Sequence, residues 1–229
     1  MRKSSWKKPI VEGLTIIVSI LLAFSIDAWW SDHVQRQEIH SAMEALHADF
    51  VGVVDELDRA SRPNMRRRDA AIYLRQASRN ELESLSSDSL QTLLHYTMIM
   101  ATVDAKTATL NGLISSGRLS LISDQKLRDG IADWHQSLND LMGTQELLIV
   151  EVTELYTPWL NSKVLLYRNR GDSPRYSPDY NSLISDFQFH NRLLAVEIRS
   201  SALVREIEHL KTDALDLIEL LSKELARTA

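Results

Sequence analysis

Ser123 and Lys126 stand one helical turn apart in the order Ser-Asp-Gln-Lys. A lysine so placed can take the proton of the serine hydroxyl, the S-x-x-K arrangement of serine acyl enzymes. The companion motifs Ser-Asp-Asn and Lys-Thr-Gly are absent from the sequence, and Ser or Asp just ahead of a helix is an ordinary N-cap. Capping is the simpler reading, with a periplasmic serine hydrolase as the alternative. His33, His40 and His47 recur every seven residues. Neighbours in that series lie about 10.5 Å apart along a helix axis, too far to share one ion within a chain. A ring of symmetry-related histidines in an oligomer would be needed for metal binding or a pH response, so solvated positions beside a helix seam are expected and no metal site is assigned. Arg62, Arg66, Arg67 and Arg68 form the one basic cluster, expected as a solvated face or as partners of acidic residues on the final helix. Trp134, Tyr156 and Trp159 read as core fillers rather than a ligand cage. The segment from Arg168 to Tyr180 is the best candidate for an exposed recognition loop.

No H-E-x-x-H, G-x-S-x-G or phosphate-cradling glycine loop occurs, and none of these residues converges on a catalytic centre or a cofactor. With no cysteine, disulfides, thiolate metal sites and cysteine nucleophiles are excluded. The net charge is -5. Setting aside Arg2, Lys3, Lys7, Lys8 and Glu12 leaves 22 basic against 30 acidic residues, about -8, which argues against nucleic acid as a partner.

The elements that carry these residues begin with an apolar segment. Ile10 to Ala28 reads IVEGLTIIVSILLAFSIDA, nineteen residues or about 28 Å of helix, close to the thickness of a bilayer's hydrocarbon core. Lys7 and Lys8 flank one end and Trp29 and Trp30 the other, which places the cations in the cytoplasm and an aromatic anchor at the opposite interface. The chain then divides into a cytoplasmic tail (1–9), a transmembrane helix (10–30) and an extracytoplasmic helical domain (31–229). The alternative is a signal peptide cleaved near Ala23-Phe24-Ser25. At 100° per residue, Glu12, Thr15, Ser19, Ala23 and Asp27 share one face, opposite Ile10, Leu14, Ile17, Leu21 and Phe24. Small residues four apart permit close helix packing, so this face is expected to meet another membrane helix. Glu12 and Asp27 sit at the ends of the segment, where they either line the mouths of a pore or rest among headgroups.

Only seven Gly and five Pro in 229 residues leave little punctuation for strands, and an all-α domain is expected. Ile39, Met43, Leu46, Phe50, Val53 and Leu57 alternate by four and three, the seam of a stalk helix continuous with the membrane segment. Pro63 is expected to kink it, with helix resuming from Met65 to about Leu82 and a loop from Ser84 to Ser89 capped at Asp88. Helical patterns follow at Leu90–Met100 and Thr107–Ile114, the latter ended by Gly117. A helix capped by Ser123 or Asp124 extends toward Tyr156, with Gly143 a candidate interruption. The final helix, with Leu193, Val196, Ser200, Leu203, Ile207, Leu210, Ala214, Leu217 and Leu221 in register, is about 36 residues long and should pack antiparallel on the stalk helix.

The segments EGLTIIVSILLAFSIDAWW, LISSGRLSLISDQKLRDGIADWH and SDFQFHNRLLAVEIRSSALVREIEHLKTDALDLIELL resemble an uncharacterised family of bacterial single-pass membrane proteins, over nearly the whole chain. The apolar segment ending in an acid and Trp, and the Leu113–Gly117 turn, carry the resemblance. Most members have Asn in place of Asp27 and Tyr in place of Trp134. The resemblance implies a helical extracytoplasmic domain held on the bacterial inner membrane and brings no activity with it. The expectation is a non-catalytic, membrane-anchored interaction or scaffold protein, without cofactor. It would form a homo-oligomer or bind a partner membrane protein through its transmembrane and stalk helices. A subunit of an oligomeric channel or transporter is the alternative.

Overall fold

Seventy consecutive residues, Lys7–Gln76, form one α-helix, α1, about 105 Å long at 1.5 Å per residue. The computed structural model describes residues 7–166 and 176–228, with side chains from Leu14 onward. After α1 come α2 (Arg79–Ser84), α3 (Ser87–Met98), α4 (Ala108–Ser115), a 3-10 turn (Arg118–Leu121), α5 (Gln125–Val150), a π-helical turn (Glu151–Tyr156), α6 (Thr157–Lys163), α7 (Tyr180–Ile184) and α8 (Phe187–Thr228). There is no strand among the described residues, and the fold is all-α with a long helix at each end.

The stalk differs from the sequence expectation at Pro63, which lies inside α1 and does not end it. A proline removes one N–H from the ladder and leaves the carbonyl four residues earlier, that of Arg59, without its donor. Packing holds the helix across the gap. The neighbouring Asn64 is fully buried, and its Nδ2 donates to Ala60 O at 2.8 Å and to Ala101 O at 2.8 Å. The break comes instead at Ser78, whose side chain and Glu81 form a reciprocal capping box that starts α2. Ser86, not Asp88, caps α3, and Asp88 sits in its first turn. Gly117, at φ 70°, supplies the left-handed residue that turns α4 into the 3-10 segment. Asp124 caps α5 by accepting from Leu127 N at 3.1 Å, and Gly143 does not interrupt it.

α8 spans 42 residues and lies antiparallel along α1. Polar contacts fix the register from end to end: His40 Nδ1 to Thr228 Oγ1 (3.0 Å), His47 Nε2 to Ser222 Oγ (3.0 Å), Lys211 to Asp58 (2.6 Å), Ser61 to Glu208 (2.7 Å) and Arg75 to Glu197 (2.6 Å). Ile39, Met43, Leu46, Phe50, Val53 and Leu57 are all buried in the resulting core, with Leu57 at 0% exposure. α5 runs beside α8 in the opposite direction, where Trp134 donates to Leu210 O at 3.0 Å and meets Phe50 edge-on at 4.8 Å. α3 and α4 also pack on α1.

The π-turn has a local cause. Leu148, Val152, Tyr156 and Leu160 are all buried at successive spacings of four. On an α-helix each such step overshoots a full turn by about 40°, so three steps would swing Leu160 about 120° off the core. One wide turn absorbs most of that drift. Pro158, which would clash with the carbonyl four residues before it, lies just beyond. The wide turn is marked by Thr157 N bonding to Val152 O, five residues back.

Replacing Leu57 with alanine should cost about 2–5 kcal/mol of stability, because a buried leucine leaves a cavity. Val51, 46% exposed on the opposite side of α1, should tolerate alanine within about 0.5 kcal/mol. Denaturant unfolding of the purified protein, followed by circular dichroism, distinguishes the two.

Candidate functional site

From Leu14 to Asp32 every residue of α1 is exposed. The stretch includes Leu14, Ile16, Ile17, Val18, Ile20, Leu21, Leu22, Phe24, Ile26, Trp29 and Trp30, each at 49% or more. This is helix with apolar side chains all round and nothing in the chain over it, the pattern of a helix solvated by lipid. Its hydroxyls are satisfied within the helix: Ser19 Oγ donates to Thr15 O at 2.8 Å and Ser25 Oγ to Leu21 O at 2.7 Å. Ala23 and Asp27 continue the Thr15/Ser19 face, all four exposed, whereas the side chain of Glu12 lies outside the described residues. Trp29 and Trp30 stand at the head of this segment, and the His33 ring stacks on Trp29 at 5.9 Å.

The stalk seam that the sequence offers to a partner is occupied by the chain itself. Its six residues are covered within one continuous core that includes α5 and α8, so the surface left open on this part of α1 is its outer face. Nor do the histidines form a set. His33 stacks on Trp29, while His40 and His47 bond to α8. No group of residues suited to a metal ion occurs among the described residues.

No hydrogen bond joins the Ser123 hydroxyl to Lys126 among the described residues. Ser123 lines a cleft between α1 and the end of α8, while Lys126 lines a separate groove between α5 and α8. The serine's backbone carbonyl accepts from Arg128 at 3.1 Å. Of the predicted aromatic fillers, Trp134 and Tyr156 are buried. Trp159 is half-buried between Phe189 and Arg192, whose guanidinium lies 4.7 Å from the ring centroid. Most of the predicted recognition loop, residues 168–175, lies outside the described residues.

The arginine cluster divides in a way its sequence does not announce. Arg62 and Arg66 are exposed and Arg68 pairs with Asp69, but Arg67 has 0% exposure. Arg67 Nε donates to Thr97 O at 3.0 Å and Nη1 to Ser200 Oγ at 3.1 Å, while Nη2 has no hydrogen-bond partner among the described residues. Burial lowers its pKa from the ordinary value, and the charge of Glu151 opposes that shift. Glu151, itself buried, pairs with Arg199 at 3.2 Å. Tyr156, at the far end of the π-turn, shares a 2.7 Å hydrogen bond with Thr97 Oγ1. An isolated charge in a core is strongly unfavourable, so these partners are a condition of folding.

With Asn64 and Ser61, about one and two turns earlier on α1, Arg67 forms a polar layer across the bundle. It separates an apolar core nearer the exposed apolar segment from a second core formed by α2, α3, α6, α7 and the first part of α8. Ser200, a small polar residue in an otherwise apolar seam, was the one sequence signal for this layer. Comparison of the chain with family models, with curated proteins and with solved structures finds no match.

Burial pushes the Tyr156 phenol up to about 12 against the stabilising influence of Thr97 and Arg67. A folded pKa above the unfolded value of about 10 gives stability that is fully present below pH 10 and lost as pH climbs through 12. Stability should therefore fall by about 2–3 kcal/mol over that window. Tyr156→Phe should abolish this particular dependence in unfolding curves recorded from pH 9 to 12. Arg67→Ala should cost about 3–5 kcal/mol at pH 7, the range for breaking a buried charge network.

Proposed function

We propose that this protein is a membrane-anchored helical scaffold that acts by binding other membrane helices rather than by catalysis. The observation that carries the reading is the contrast along a single helix. α1 is exposed and apolar from Leu14 to Trp30, then buried along one seam from Ile39 onward, with no break between the two. Lys7 and Lys8 before the apolar stretch and Trp29 and Trp30 after it favour a cytoplasmic N-terminus and an extracytoplasmic bundle, as in a bacterial inner membrane. This is also the placement implied by the resemblance to bacterial single-pass membrane proteins.

The fate of the stalk seam supports association through the membrane helix. That seam packs on α8 of the same chain, so helix partners, a second copy or another membrane protein, are expected at Thr15, Ser19, Ala23 and Asp27. The Ser123 hydroxyl makes no hydrogen bond to Lys126 among the described residues, which weighs against the serine hydrolase reading.

The anchor is tested by flotation. Protein made with phosphatidylcholine vesicles should rise with them after alkaline washing, and Leu21→Arg should leave much of it unbound, since a charge at the bilayer centre costs about 2.5–3.5 kcal/mol on insertion scales. Association is tested by energy transfer between labelled chains in vesicles. Ser19→Leu with Ala23→Leu should reduce it several-fold if close approach at this face holds the helices together. Unchanged transfer would remove the face from the account.

A further inference from the structure

The helical bundle begins almost directly above the exposed apolar stretch of α1, and the part of it that reaches lowest is the 3-10 turn Arg118–Leu121. This turn flanks α1 across two clefts. One, of about 500 Å3, has Ser31, Val34 and Glu38 on its α1 side and Gly117, Arg118 and Leu121 facing them. The other, of about 380 Å3, lies between Asp32, Gln35 and Arg36 and the residues Leu121 to Ser123. Leu121 and Gln35 line both clefts, which sets the turn at the height of Gln35. That is five residues beyond Trp30, or about 7.5 Å along the axis. A headgroup layer is about 5–8 Å deep on each side of the hydrocarbon.

The turn is braced, its polar groups are satisfied, and it holds one leucine outward. Ile122 is buried and seats the turn in the core, while Arg128 donates to the carbonyls of Ile122 and Ser123. Ser116 and Ser120 donate to the carbonyls of Gly112 and Gly117, each at 2.7 Å, so these hydroxyls need no water. Arg118 pairs with Glu38 at 2.9 Å, which balances the charge of the turn and removes any call for an anionic surface. Leu121 is 40% exposed, with Val34 at 36% across the first cleft. An apolar side chain held outward on a braced turn is stabilised where the medium is drier than water.

We propose that the Gly117–Leu121 turn is a second contact with the membrane, in which Leu121 enters the headgroup layer of a zwitterionic phospholipid surface and the bundle rests on the bilayer. The proposal rests on the reading of α1 as a membrane anchor and adds an orientation to it. A single helix leaves its tilt open, and interfacial anchors set it. A helix with this turn leans toward the side that carries the turn.

The chain has no cysteine, so single cysteines in the full chain can carry a nitrobenzoxadiazole fluorophore in phosphatidylcholine vesicles. Leu121→Cys reports the turn. Leu147→Cys, at an apolar residue 71% exposed and about 33 Å up α5 from Gln125, is the raised control, and Ala23→Cys reports the anchor. Quenching is measured with phosphatidylcholine carrying a nitroxide near the top of its acyl chain, and with iodide from the water. The label at 121 should be quenched several-fold more by the nitroxide lipid, and several-fold less by iodide, than the label at 147. Iodide quenching at 121 equal to that at 147, with the label at 23 still quenched by the nitroxide lipid, would overturn the contact and leave the anchor standing. Absence of lipid quenching at 23 would overturn the anchor and the contact with it.

Discussion

The constraint on which the rest of the structure depends is the continuity of α1. A helix without a break from Lys7 to Gln76 cannot turn its faces independently, so the register that buries Leu46, Phe50 and Leu57 also determines how the apolar N-terminal segment is presented. The small residues at Thr15, Ser19 and Ala23 lie roughly opposite the direction of the seam. α8 therefore covers one side of the rod and leaves the side that carries these residues open. Hydrophobic burial explains why the two long helices associate, but the cross-helix pairs from His40–Thr228 to Arg75–Glu197 explain why they do so in one register. A slip by a turn would strand several of those groups and would move Arg67 away from Ser200.

Arg67 gives the bundle its internal landmark. A purely apolar seam of this length would tolerate shifted alignments, because one leucine replaces another at little cost. A buried guanidinium bonded to the Thr97 carbonyl and the Ser200 hydroxyl penalises every alignment but one. The π-turn serves the same layer: its extra residue lets α5 and α6 both keep their apolar residues inward while Glu151 and Tyr156 are both buried beside α1 and α8. The polar layer thus joins four separate segments of chain, α1, α3, the π-turn and α8, at a cost in desolvation that the surrounding apolar cores offset.

Periodicity made the large elements legible. The four-three alternation in the stalk and in the final helix depends only on which side of a helix avoids water, and both helices are present with their seams buried. The same information could not tell whether a seam is filled from within the chain or by another chain, and the choice of α8 became visible only with the contacts. Pro63 was read as a kink because local chemistry argues for one, yet Asn64 and the packing around it outweigh the lost hydrogen bond. Arg67 stands among three exposed arginines in the sequence, yet 57, 60, 64 and 67 continue the three-four spacing of the seam, so its inward position was legible and only its charge and the nearby Pro63 obscured it. The run of four-residue spacings at 148, 152, 156 and 160 held the signal for the π-turn, and Pro158 beside it was the second clue.

The most direct measurement of the account is a thiol cross-link on the otherwise cysteine-free chain. His47→Cys with Ser222→Cys places two thiols on facing positions of α1 and α8, where a cross-helix hydrogen bond of 3.0 Å now stands, to be joined by a short bis-maleimide reagent. Treatment of the protein in vesicles should give a band that remains monomeric and runs faster than the untreated chain, because α8 returns along α1 of the same chain. A covalent dimer as the main product would contradict the account, since the stalk seam would then belong to a partner.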